Sequence, residues 1–271
     1  MEEHVSWITH ILNHYLGSAA LALLNALHIQ PEHPDLPIPE QVCMAFTVLV
    51  IATILALILK SRLSVEKPGS FQQIAEMLIT NPMGFGAKDL VEENVHHHPE
   101  RYVPWIGSIG IFVLLSNLMS VFPAFSAPTG NKTVPLACAA LTFLYFNYAG
   151  IRQLGPLHYL KNFAGPVPWL APLIFPVEII STSARVLSLT VRLWANILAS
   201  DLIYSIFLSL FASVSLWGFE KSPVLGVALG MLPATIPILF IGLHIFVAIV
   251  QAYIFTILPS VYLGLATSEE H

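Results

Sequence analysis

Four ionisable side chains interrupt one long apolar stretch of the sequence, at Glu178, Arg185, Arg192 and Asp201. In a helix that turns by about 100° per residue, the spacing of seven places Glu178, Arg185 and Arg192 on one stripe. Asn196 follows one turn after Arg192, whereas Asp201 points to roughly the opposite face. Each charged side chain costs several kcal/mol at membrane depth, so the pattern indicates a functional site rather than incidental polarity.

The two carboxylates of this stretch are far enough apart to serve opposite sides of a membrane. At about 1.5 Å per residue, Glu178 and Asp201 lie about 34 Å apart along a helix, near the roughly 30 Å thickness of the hydrocarbon. Carboxylates take up and release protons, whereas arginine stays ionised and does not readily pass its own proton on. The pattern predicts two polar access routes, separated by the fixed cation of Arg192.

An inert ion-pair network within the membrane is the alternative interpretation, for example Glu178 paired with Arg185 on their shared helix face. This alternative suits Arg192 less well, because its own helix offers it no acid within one turn. A counter-ion for Arg192 must come from elsewhere in the chain or from a partner.

A second polar pair lies further along the chain, where His244 and Gln251 are spaced by seven and share a helix face. A lone histidine on an apolar helix is most often a packed, hydrogen-bonded residue. A second polar residue on the same stripe, next to a helix that already carries charge, favours a role in proton transfer.

Several other kinds of site find no support in the sequence. The consecutive histidines of His96–His98 do not share a helix face, and the run is not a metal-ligand motif, so a solvated loop is the better interpretation. Cys43 and Cys138 form neither a disulfide framework nor a metal set. The formal net charge of −5 argues against a nucleic-acid partner. We therefore expect no cofactor and no metal.

The composition defines the elements that must position these residues. Of 271 residues, 56% are hydrophobic and only 10% are charged, whereas soluble domains are about one quarter charged. The sequence thus predicts an all-α polytopic membrane protein, with an N-terminal segment over residues 1–40 and a membrane domain over 41–271. Gaps between charged residues predict spans at about 41–59, 102–122, 133–151, 167–217 and 222–266.

The last of these stretches is too long for one upright helix. It forms either two helices or one strongly tilted helix, and Gly226, Gly230, Pro233 and Pro237 mark where a break would fall. With five crossings, the Lys and Arg of alternating loops divide into seven on one side and two on the other. Lys and Arg concentrate on the cytoplasmic side, which predicts an external N-terminus and a cytoplasmic C-terminus and favours the odd number of crossings.

Two segments outside the spans carry helical patterns. The first 40 residues lack the features of a cleavable signal and predict an extracytoplasmic, interfacial amphipathic helix. Its apolar face consists of Trp7, Ile8, Ile11, Leu12 and Tyr15. The segment 60–101 predicts a cytoplasmic loop with a short amphipathic helix near FQQIAEMLI.

The stretch SLTVRLWANILASDLIYSIF resembles the signature of subunit a of F-type ATP synthases. The match runs from Ser188 through Ile197 and includes the family's essential arginine at Arg192. GLHIFVAIVQAYIFTILPSVYL and the SEEH tail extend the similarity, which covers most of residues 100–271. This chain has Ala195, Ser200 and Asp201 where relatives often have Gly, Gly, and Glu or His.

The resemblance implies a non-catalytic stator subunit with five to six membrane helices, the last two forming a long tilted hairpin around a ring of c subunits. It implies that Arg192 faces the carboxylate of that ring, with Arg185 and Ser188 in support. Positions that line the proton path would be Asn196, Asp201, His244 and Gln251, with Glu178 near the other access route. The implied partners are the c-ring, subunit b of the peripheral stalk, the remaining F1Fo subunits and membrane lipid.

The resemblance leaves the transported ion as either the proton or Na⁺. Residues of the ring, which are not part of this sequence, decide between the two. The expected location is a bacterial plasma membrane. Two rival classes exist: a standalone ion-coupled secondary transporter, which usually has internal repeats, and an intramembrane hydrolase, which needs a nucleophile–base pair or a metal motif. The sequence has none of these features.

Overall fold

The computed structural model describes residues 6–26, 28, 36–81, 84–96, 98–122, 125–159 and 168–267, with side chains at all of these except 168 and 227–238. Within these ranges the chain is helical and contains no strand. The helices are α1 (Trp7–Ala26), α2 (Glu40–Ser61), α3 (Ser70–Ile79), α4 (Ala87–Asn94), α5 (Val103–Met119), α6 (Thr133–Leu154), α7 (Ala171–Lys221) and α8 (Pro223–Thr267). Short 3-10 turns lie at Pro99–Arg101, Pro128–Gly130 and Pro168–Leu170. The all-α prediction is confirmed.

Four of these helices contain apolar segments long enough to cross a membrane: α2, α6, α7 and the Leu239–Thr267 part of α8. The fifth predicted span corresponds to α5, a shorter apolar helix of 17 residues. The bounds of α2, α5 and α6 differ from the predicted spans by no more than three residues at either end. The uncharged stretches of the sequence locate these helices well, because burying an ionisable side chain in the hydrocarbon costs free energy.

The final apolar stretch is one continuous helix, α8, of 45 residues. Its backbone stays helical through Gly226, Gly230, Pro233 and Pro237, so none of these residues ends the helix. α7 is longer still, with 51 residues. At about 1.5 Å per residue both helices exceed twice the roughly 30 Å hydrocarbon thickness, so only a strong tilt keeps their apolar length within a membrane.

The core forms where α8 packs against α4, α5, α6 and α7. Leu189 and Leu193 of α7 are buried there against Phe255 of α8 and Val113 of α5. The buried face of α7 continues through Ile197. Because Leu193 faces the core, its neighbour Arg192 is rotated by about 100° to the margin of the packed face.

The N-terminal helix is confirmed as α1, but a different face packs on the protein. Asn13 is buried, donates from Nδ2 to the Ile38 carbonyl (3.1 Å) and accepts at Oδ1 from the Ile38 N–H (2.9 Å). Trp7 and Ile11 of the predicted apolar stripe are exposed. Hydrogen bonding by Asn13 therefore fixes the rotation of α1, and its position in a membrane interface stays a prediction, as does the boundary at residue 40.

The segment between α2 and α5 contains the predicted amphipathic helix as α3 and a further helix, α4, that the sequence pattern did not reveal. α4 packs against α8. Gly264 of α8 directly faces the backbone carbonyl of Asn94 at the end of α4, and a Cβ at Gly264 would collide with it. This glycine permits the close approach of the two helices.

We expect Gly264→Ala to destabilise the docking of α4 on α8 by about 1–3 kcal/mol, because a backbone atom rather than a flexible side chain blocks the added methyl group. Thermal unfolding of the purified chain in detergent measures the effect. Gly242→Ala on the same helix is the matched control, since a Cβ there meets no atom within 4 Å. Equal melting temperatures for the two variants would contradict this account.

Candidate functional site

The polar stripe of α7 begins with an ion pair. Arg185 Nη2 lies 3.7 Å from Glu178 Oε1, and the Thr182 hydroxyl, between them on the helix, donates to the Glu178 backbone carbonyl at 2.7 Å. The Arg185 guanidinium also lies 4.9 Å from the centre of the Tyr262 ring on α8, a distance that allows a cation–π interaction. The geometry of Arg185 thus fits the alternative interpretation, in which Arg185 forms an ion pair with Glu178.

Arg192 is in a different situation, one helical turn or more from every acid on α7. Its side chain is half-buried, and Nη2 makes one long hydrogen bond of 3.5 Å to the Ser188 hydroxyl. Within the described residues its guanidinium forms no ion pair. A guanidinium has five N–H donors, so the described part of the chain leaves most of the hydrogen-bonding capacity of Arg192 unused. The sequence left two sources for a counter-ion, the rest of the chain or a partner, and the described part of the chain brings no carboxylate into ion-pair distance of Arg192.

Asp201 and His244 lie on the walls of a single cavity of about 150 Å³ between α7 and α8. Ser120, the residue directly after α5, also lines it and is hydrogen-bonded to His244, with 2.5 Å between Oγ and Nε2. The direction of that bond depends on the imidazole tautomer. Ser200 and Tyr204 complete the polar lining. The structure therefore brings together an acid and an imidazole that lie 43 positions apart in the sequence.

Two other predicted site residues lie outside this cavity. Gln251 is buried, with 3% of its surface exposed, and its Oε1 has no hydrogen-bond partner in the described part of the chain. Asn196 is half-buried, one turn after Arg192. Gln251 is two helical turns beyond His244 on α8, so it belongs to the interior of the bundle rather than to the cavity at Asp201.

Sequence reasoning missed Ser120 and Tyr204. Ser120 follows an apolar helix within SNLMSVFP, and a single serine at a helix end is not distinguishable from a capping or turn residue by pattern. Only its contact with His244, 124 positions away, gives it a role.

No three His, Cys, Asp or Glu side chains within the described ranges come close enough together to hold a metal ion. His97 of the histidine run lies outside the described residues. His98 is exposed and its Nδ1 lies 3.5 Å from the Glu100 carboxylate, in keeping with a solvated loop.

These features define a class: a multi-pass helical membrane protein whose titratable groups lie on two long helices. They lie on either side of an arginine that forms no ion pair within the described ranges. The family model described as "ATP synthase A chain" matches residues 42–264. The chain belongs to this family, as the resemblance predicted. Membership makes it a non-catalytic stator subunit of the ATP synthase, so a standalone transporter or an intramembrane hydrolase is no longer an alternative.

Individual relatives agree with this assignment over nearly the full length. The chain is 37% identical to "ATP synthase subunit a" of Koribacter versatilis, with 99% of each chain covered. It is 36% identical to the protein of the same name from Solibacter usitatus, covering 96% of this chain and 100% of the relative. It is 31% identical to that of Geotalea uraniireducens, covering 92% and 94%.

Proposed function

We propose that the chain forms two offset half-channels that carry protons to and from carboxylates on a rotating c-ring, with Arg192 between them. The observation that carries this proposal is the half-buried guanidinium of Arg192, which has no ion pair within the described residues. A permanent cation at membrane depth needs an anion. A carboxylate that arrives on a moving neighbour supplies one and completes the site.

The first half-channel leads through the cavity of Asp201 and His244. A volume of about 150 Å³ accommodates several water molecules at roughly 30 Å³ each, and both side chains exchange protons. From there Asn196, five positions before Asp201 on α7, is the next polar group toward Arg192. The buried amide of Gln251, whose oxygen has no hydrogen-bond partner among the described residues, supplies a further hydrogen-bonding group on the facing helix.

The second half-channel leads from the ring past Glu178. The Glu178 side chain keeps 40% of its surface exposed even though it is paired with Arg185, so it stays accessible to a proton carrier. A neutral carboxyl travels through lipid at low cost, whereas an ionised one does not. Opposite charge lets Arg192 favour the ionised carboxylate and so drive release on this side. The fixed charge also opposes direct proton flow between the two half-channels.

The surface of α7 supports a ring partner. In the most apolar 18-residue segment of α7, only 6% is buried within the chain, whereas 39% of the corresponding segment of α6 is buried. α7 carries the proposed functional residues, and the rest of the chain covers little of its surface. A second protein therefore has room to pack along its length. The further partners that we propose are subunit b and the remaining F1Fo subunits, within lipid. The Lys and Arg distribution supports an external N-terminus and a cytoplasmic C-terminus in a bacterial plasma membrane.

Photo-crosslinking in the assembled complex tests the ring contact. A photoreactive side chain at Ala199, exposed and seven positions after Arg192 on the same stripe, should give an adduct with the ring proteolipid. Leu57 on α2 is the matched control, since 62% of its surface is exposed on a helix that we assign to lipid. A ring adduct from Leu57 and none from Ala199 would overturn the proposed face.

Ser120→Ala is expected to slow proton transport about fivefold, because one net hydrogen bond of about 1 kcal/mol no longer orients His244. The rate of ATP-driven quenching of a pH-sensitive dye in inverted vesicles measures it. Ser120→Thr keeps the hydroxyl and should keep most of the activity. Full activity of the alanine variant would show that the bond to His244 has no role in transport.

A further inference from the structure

A second cavity, of about 350 Å³, lies at the other end of the bundle, where the chain enters α5 and α6 approaches its end. Arg101 and Arg152 both line it, and both are exposed. In the described part of the chain neither guanidinium forms an ion pair. The nearest acid in the sequence, Glu100, contacts His98, which also lines the cavity, and it interacts with Arg101 only beyond ion-pair distance. Two arginines at one opening, without an ion pair in the described ranges, favour the binding of an anion.

The walls of this cavity are aromatic with polar tips. Tyr102 is buried and its hydroxyl donates to Gln153 Oε1 at 3.3 Å. Tyr145 stacks on Trp105 with 4.6 Å between ring centres. Tyrosine and tryptophan concentrate at the level of lipid headgroups, so the aromatic side chains place the cavity at the membrane interface. The two guanidiniums then lie at the height of the lipid phosphates.

An apolar track leads from the cavity along α6 toward the hydrocarbon. Leu141, Leu144, Tyr148 and Ile151, spaced by three, four and three, are all exposed on one helix face. Tyr148 also lines the cavity. A free phosphate ion has no apolar group that could pack on this track, whereas the acyl chain of a phospholipid would cover it. The track thus favours a lipid over a soluble anion.

We propose that this cavity binds the headgroup phosphate of an anionic phospholipid through Arg101 and Arg152, with an acyl chain along the exposed face of α6. Basic pockets between membrane helices on the cytoplasmic side are suited to such headgroups, and the Lys and Arg distribution puts both arginines on that side. The bound lipid would hold the start of α5 against the end of α6. This inference rests on the membrane location of the chain and is independent of the proton path.

Native mass spectrometry of the full chain in a non-ionic detergent tests the site. Phosphatidylglycerol and phosphatidylethanolamine with identical acyl chains are titrated separately. We expect one phosphatidylglycerol to bind in clear preference to phosphatidylethanolamine. Combined Arg101→Gln and Arg152→Gln should weaken that binding roughly 30-fold, at about fivefold for each basic side chain near the surface. The corresponding double lysine variant keeps the charge and should keep most of the preference.

Arg62→Gln is the matched control, because Arg62 is exposed at the end of α2 and does not line the cavity. Circular dichroism verifies that each variant keeps its helix content. Equal losses for the control and the double glutamine variant would overturn the site, as would equal binding of the two lipids by the native chain. Inorganic phosphate that displaces the lipid at equal concentration would overturn the lipid assignment in favour of a soluble anion.

Discussion

Replacing Arg192 by alanine is expected to abolish ATP-driven proton pumping and ATP synthesis, with at least about a 100-fold loss. The variant removes the charge that favours an ionised ring carboxylate, so the carboxyl keeps its proton and no net transport follows. Folding should be little affected, because among the residues that the structure describes the native guanidinium makes a single long hydrogen bond, to Ser188. Inverted vesicles that contain the assembled complex give the pumping rate from the quenching of a pH-sensitive dye.

Two further variants separate the role of Arg192 from a general need for positive charge. Arg192→Lys should also fail, since a dehydrated lysine can lose its proton whereas arginine stays ionised. Arg185→Gln should retain more activity, because Arg185 is already neutralised by Glu178 at 3.7 Å. Normal pumping by the Arg192→Ala variant would refute the assigned role. A loss as complete in Arg185→Gln would mean that the whole stripe acts as one unit.

The second large effect is expected at Asp201, where alanine should slow proton transport roughly tenfold to 100-fold. The change removes the acid of the cavity that it shares with His244, while the cavity itself grows and admits water. Transport should therefore be impaired but not abolished. Initial rates of ATP-driven pumping and of proton-driven ATP synthesis both measure the loss.

A conservative variant and a neutral one sharpen this test. Asp201→Glu keeps a titratable carboxylate on the same helix face and should retain most of the rate. Ser209→Ala changes an exposed polar residue of the same helix, whose hydroxyl donates to the Ile206 carbonyl of its own helix, and it should have no effect. Normal transport in Asp201→Ala would place Asp201 outside the proton path.

The spans and the polar stripe were predictable because both depend on neighbouring residues. Lys60 and Arg62 mark the end of α2, and Arg152 lies in the last turn of α6, as expected where charge must leave the hydrocarbon. The spacing of Glu178, Arg185 and Arg192 determines their common face in any α-helix. The same spacing also predicted that no acid of this helix lies within one turn of Arg192.

Local patterns left two helix boundaries undecided. The glycines and prolines of the last apolar stretch left either two helices or one tilted helix possible, and α8 continues through them as one helix. Proline is tolerated in membrane helices because neighbouring groups satisfy the freed carbonyls, and the packing of α8 against α7 opposes a break. α4 was not predicted because its eight residues are too few to show a helical period clearly.

The sequence alone thus determined the class of protein, the helices that cross the membrane and the acid–arginine–acid order along α7, since charge and periodicity act over one or two turns. Only the tertiary structure decided which groups meet: Ser120 with His244, Arg185 with Tyr262, and Arg101 with Arg152 around one cavity. These contacts join residues 51 to 124 positions apart. The packing of whole helices determines such contacts, and no local pattern records how two distant helices are rotated against each other.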